Sequence, residues 1–183
     1  MLSELNLVAG RKAKESTSHD LALKYLVKGI EVLPSDGWTS HFELAYELHL
    51  EAAKCEYLMG QYDVCEEHIS TLRQHTNSRL KSAAVTCLLM QLYSTQQRHP
   101  ETLQCGLTCL EEIFNVGVVR NPSAEVAREF DMQVQQAIEA IGLEQLPSLP
   151  IVEYDIEHAA VMEVLLLVRL MARLDSAREA LIR

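Results

Sequence analysis

Loop-building residues are scarce in this chain: of 183 residues, seven are glycine and five are proline. So little turn material excludes the many short strands of a β-sandwich or barrel. Aromatic residues make up only 5% against 48% apolar residues overall, so the core must come mostly from Leu, Ala, Val and Ile. Positive charge is also short, with 16 basic against 26 acidic residues and a formal net charge of -10. Such a surface repels a phosphate backbone, and no nucleic-acid partner is expected. The compact basic group Arg11, Lys12 and Lys14 reads as a solvated helix face.

No Cys-x-x-Cys pair occurs among the five cysteines, Cys55, Cys65, Cys87, Cys105 and Cys109. They read as small buried hydrophobes in a reducing compartment, and neither a metal nor another cofactor is expected. Long hydrophobic runs are missing as well. The most apolar stretch, Ala159 to Met171, is interrupted by Glu163 and Arg169 and is too short for a bilayer, which needs about 20 apolar residues. The amino terminus has no secretory apolar run. These absences predict a cytoplasmic protein with no membrane contact.

What is present is helical grammar. Turn and cap residues divide the chain into helical pieces at roughly 3–15, 18–33, 38–59, 62–76, 79–96, 100–115, 123–142 and 155–181. Ser18, Ser78 and Ser123 suit helix N-caps, Pro100 and Pro122 suit first turns, and Gly60 and Gly117 suit left-handed helix ends. In the third piece, Ala45, Leu48, Ala52, Cys55 and Met59 form one stripe, and Phe42, Tyr46, Leu50, Ala53 and Tyr57 form another. Two stripes predict a helix packed on two sides, with Glu43, Glu47, Glu51 and Lys54 left in water.

Small residues then recur at an offset of twelve, from Gly10 to Ala22 and from Ala53 to Cys65, with Gly60 and Tyr62 at the turn between the second pair. This is the layout of a close helix crossing in a tetratricopeptide-type hairpin. Taking Ala22, Cys65 and Leu103 as equivalent gives periods of 43 and 38 residues. The fold expected is therefore all-α: a tetratricopeptide-like stack of antiparallel helical hairpins, an α-solenoid fragment. Residues 1–118 hold three degenerate hairpins, the third carrying Leu103, Leu107, Leu110 and Phe114. Residues 119–183 add helices at 123–142 and 155–181, joined by a connector with Pro147 and Pro150, that close or extend the array. The earlier of these carries Val126, Phe130, Val134, Ala137 and Ile141 in line. The last helix is apolar almost all round, so its covering is expected from more chain or another subunit, with Ala159, Val161, Leu165 and Val168 as the interface.

The run AGRKAKES, the ALKYL core, Trp38 after a turn, the ELAYELHLEAA helix and YLMGQYD resemble the tetratricopeptide-like helical region of large signalling proteins. Those proteins carry an AAA-type ATPase module and often a carboxy-terminal sensor histidine kinase. The resemblance covers about residues 6–118 well and weakens to about 168. It implies a non-catalytic helical-repeat module, with the adjacent ATPase or kinase domains as partners. A free-standing adaptor for a peptide ligand is the alternative, and a small all-α enzyme a remoter one. The chain has no GxxxxGK[ST] phosphate loop and no phosphoacceptor-histidine motif, so neither activity is expected of these residues. Among seven histidines, His41 and His49 lie eight apart near Glu56, and His68 and His75 seven apart, without a ligand spacing. Surface or satisfied core histidines are expected, with Trp38 as a packing anchor.

Overall fold

A computed structural model describes residues 1–118, 123–141 and 155–182, with the side chains of the last helix described through Leu170. Every regular element among them is helical. They are α1 (Leu2–Glu15), α2 (His19–Glu31), the short α3 (Gly37–Ser40), α4 (Phe42–Leu58), α5 (Tyr62–His75), α6 (Arg79–Thr95), α7 (His99–Thr108), α8 (Ala124–Ile141) and α9 (Ile156–Ile182). A π-helical turn, Cys109–Ile113, extends α7. The piece expected at 38–59 is broken at His41, whose φ of -137° lies outside the helical region. The proline connector and the side chains of Phe130, Val134, Ala137, Ile141 and Met171 lie outside the described residues.

Helices α1 and α2, α4 and α5, and α6 and α7 pair as three hairpins whose turns are copies of one another. Thr17, Gly60 and Gln97 each take a left-handed φ, of 59°, 74° and 60°. The amide that follows each reaches back to the carbonyl five residues earlier: Ser18 to Ala13 at 3.0 Å, Gln61 to Glu56 at 2.9 Å and Arg98 to Tyr93 at 2.8 Å. This closure satisfies the orphan carbonyls of the first helix and reverses the chain. Only Gly60 takes that conformation without a Cβ penalty. Thr17→Gly is therefore expected to stabilise the fold by about 1 kcal/mol, read from urea unfolding. A loss of stability would contradict the left-handed turn at Thr17. After α7 the left-handed residue is Asn115, at 54°, rather than the expected Gly117.

The turns also fix the register of the third hairpin. Counting five residues from Thr17, Gly60 and Gln97 reaches Ala22, Cys65 and Thr102, giving spacings of 43 and 37. Thr102 is 1% exposed, whereas Leu103 is only half-buried, so the expected equivalence of Leu103 is one residue out.

Helix α4 packs on both helices of the first hairpin, α6 on both of the second and α9 on both of the third. The two stripes of α4 are buried as their spacing requires, except that Met59 at the end of the first is exposed. Leu48, Ala52 and Cys55 join Leu7, Ala22 and Leu26 in one core, and Tyr46, Leu50 and Ala53 join Ile69, Leu72 and Val85 in the next. A third core holds Cys87, Met90, Leu110 and Val164.

Candidate interaction surfaces

The first close crossing is built from Gly10, where a Cβ would stand 2.7 Å from Cγ of Leu26 and 3.3 Å from the carbonyl of Ala22. In the second hairpin Ala53 and Cys65 are both fully buried, and the Cys65 thiol donates to the Ala53 carbonyl at 3.2 Å. Gly60 is exposed at the turn, and the half-buried Tyr62 ring lies 6.3 Å from that of Tyr57. In the third hairpin the sizes are exchanged. Met90 stands where Gly10 and Ala53 stand in theirs, and Gly106 on α7 makes room, since a Cβ there would meet Met90 Cε at 2.8 Å and Val168 Cγ2 at 2.5 Å. The sequence pattern breaks at this hairpin because the small residue has moved to the opposite helix.

Acidic and basic helix faces that look solvated in sequence meet one another. Arg11 of α1 donates to Glu47, Lys14 of α1 and Lys54 to Glu51, and Lys81 of α6 to Glu43. Glu51 is 6% exposed rather than in water. Burial works against its charge, but hydrogen bonds from Lys14 and Lys54 hold its carboxyl below the usual carboxylate range. Arg11, Lys12 and Glu43 keep the exposed positions expected of solvated faces, and Arg11 and Glu43 join the buried Glu51 in a ladder of ion pairs between hairpins.

The last helix is covered on one side by its own chain. Val164 is completely buried, and Val161, Leu165 and Val168 pack against the third core. Ala159 is half-buried. On the opposite side Met162, Leu166 and Leu170 stand at steps of four and are exposed, Leu166 by 58%. At the other end of the stack Leu2 and Leu5 of α1 and Leu21 and Tyr25 of α2 are likewise exposed.

Between the second and third hairpins lies a cleft of about 710 Å³. Val85, Leu89, Cys105 and Cys109 supply its apolar surface, and Arg73, Glu101 and Glu112 bring charge to it. Cys105 is half-buried there, and burial pushes its thiol up from the usual value, as it does at Cys55 and Cys109, and at Cys65 and Cys87 to about 12. A thiol so raised is a poor nucleophile. No cluster of His, Cys, Asp or Glu among the described residues has the arrangement to hold a metal ion.

Three histidines converge: His75 is at the surface as expected, His68 is half-buried, and His49 is a core position left unsatisfied. Trp38 stacks on His75 at 4.3 Å between ring centroids and on His49 at 5.1 Å. His49 meets His68 edge-on at 5.0 Å, and His68 Nδ1 lies 3.0 Å from Oε2 of Glu56, without hydrogen-bond geometry. His49 is 9% exposed and Glu56 1%, and Nδ1 of His49 is buried with no partner among the described residues. His41 stays apart, at the break before α4.

No protein-family model matches the sequence, and no solved structure matches the chain. Among curated proteins the chain is similar to Hybrid signal transduction histidine kinase G of Dictyostelium discoideum. The two are 21% identical over 119 residues, which is 60% of this chain and 4% of the kinase. The chain thus spans about 4% of the length of that relative. No helix among the described residues is long and apolar enough to cross a membrane. The chain is an all-α protein with a weak likeness to one region of a signalling histidine kinase.

Proposed function

We propose that the chain is a tetratricopeptide-like stack that acts as a non-catalytic coupling module in cytoplasmic signal transduction, joining ATPase or sensor-kinase domains through its packed faces. The observation that carries this reading is the apolar stripe Met162, Leu166 and Leu170, left exposed on a helix whose other side is already buried. A helix with contacts on one side and a bare apolar row on the other is placed to take a further packed element. The likeness to part of a histidine kinase supports a setting beside such domains. The matching hairpin turns support the tetratricopeptide-like stack.

A photo-crosslinking residue at Leu166, introduced into the natural gene product in its own cells, tests the coupling role. Adducts to a signalling domain are expected from Leu166 and not from the exposed Asp63 on α5. Absence of adducts from Leu166 would refute the reading. A second reading, a peptide-binding adaptor, is favoured by the cleft between the second and third hairpins. It predicts that adducts form instead from Ser82, which lines that cleft.

A further inference from the structure

We propose that Trp38, His49, His68, His75 and Glu56 form an acid-operated latch: a proton taken up by His49 releases Trp38 and loosens α3 and α4 from α5. Trp38 is the only tryptophan, it lies in the connection between the first and second hairpins, and its ring is held by His75 from α5 and His49 from α4. His49 and His68 face each other at 5.0 Å, so a positive charge on His49 would stand among rings in a buried interface that gives it little solvation.

The surroundings offer little relief. From α4 the carboxylate of Glu56 sits against His68. Helix α5 contributes His68 and His75, while α3 brings only the indole. Helix α2 packs α4 with Leu26, Gly29 and Ile30, none of them titratable. The charges that α1 and α6 bring to α4 are those of Arg11, Lys14 and Lys81, already engaged by Glu47, Glu51 and Glu43.

Burial, reinforced by His68 and His75, pushes His49 down to about 4. An unfolded histidine titrates at about 6.5, so between those values the unfolded chain binds more protons than the folded one. The stability that His49 contributes is therefore complete above about pH 6.5 and is lost as the pH falls toward about 4. From this residue alone the unfolding constant should rise roughly 20-fold between about pH 7 and about pH 5.

The test is urea unfolding and Trp38 emission of the whole chain at pH 7 and at pH 5, beside His49→Phe, which keeps a ring against Trp38 and cannot titrate. The wild-type unfolding constant is expected to rise about 20-fold more than that of the variant, with an acid-range change in emission that the variant lacks. Equal changes in the two proteins would overturn the latch. If His49→Phe does not fold, His49→Gln replaces it in the same comparison. A wild-type Trp38 signal that is flat from pH 7 to about pH 3.5, where most folded molecules would carry the proton on His49, overturns the proposal whatever the variants do.

Discussion

Truncating Leu48 to alanine is expected to lower the stability of the chain by about 2–5 kcal/mol, the range for a fully buried leucine whose site cannot collapse. Leu48 is completely buried on the side of α4 that faces the first hairpin. Its Cδ2 reaches to within 2.6 Å of where a Cβ on Gly29 would stand, so the side chain occupies a notch that α2 leaves open by carrying a glycine there. Removing the isobutyl group empties that notch and leaves Leu7, Leu26 and Cys55 with a void between two hairpins. Relaxation is hindered because Lys14 and Glu51 tie α1 to α4 beside the same interface. Urea unfolding measures the loss. A change below about 1 kcal/mol would mean that α1 and α2 do not close on α4 in this way.

The second large effect is expected at Gly106, where leucine should drive α9 away from the third hairpin. A Cβ alone would stand 2.5 Å from Cγ2 of Val168 and 2.8 Å from Cε of Met90. Met90 can move its flexible end, but the closer contact is with Val168, so even Gly106→Ala crowds the site and its gain in helix propensity of about 1 kcal/mol is offset. The β-branched Val168 has less freedom, and a leucine leaves no room for both. Overpacking of this kind costs about 1–3 kcal/mol, or roughly 2–12 °C in melting temperature for a chain of this size. The expected signature is specific to the helix: proteases should cut in α9 of Gly106→Leu while the first two hairpins stay protected. If α9 is no more sensitive than in the wild type, Val168 does not pack against Gly106. The same variant bears on the proposed coupling role, because a displaced α9 would carry Met162, Leu166 and Leu170 out of position.

The positions of these two side chains differ in how far they were readable beforehand. Leu48 lies on a stripe with Ala45, Ala52 and Cys55, and spacing alone assigns it to a buried face. Gly106 carries no such signal, since nothing local says that a glycine in α7 answers a methionine sixteen residues earlier on α6. The third hairpin therefore reads as degenerate in sequence, although its turn at Gln97 repeats the hydrogen bonds of those at Thr17 and Gly60. The signal that could have restored its register is the offset of twelve itself, moved back by one residue to Met90 and Thr102, but a methionine at a small-residue position hides it.

The interaction surfaces divide in the same manner. The apolar character of α9 is plain in its composition, but which side is covered by α6 and α7 and which is left bare follows from docking alone. Sequence makes Glu56 a neighbour of His49 on one helix, but its burial against His68 has no local marker. Nor does a run of glutamates at i, i+4 say whether it faces water or lysines on another helix.

That the chain is helical, where most of its helices begin and end, and that α4 is sandwiched between two cores are all legible in the residue pattern alone. Those features rest on periodicity, caps and turn chemistry, which act over three or four residues and are written locally. The register of the third hairpin, the ladder of ion pairs between hairpins, the stacking of His49 and His75 on Trp38 with His68 against His49, and the choice of face on α9 emerge only when the helices dock. Each joins side chains from different helices, where size compensation and charge pairing depend on what the opposing surface holds.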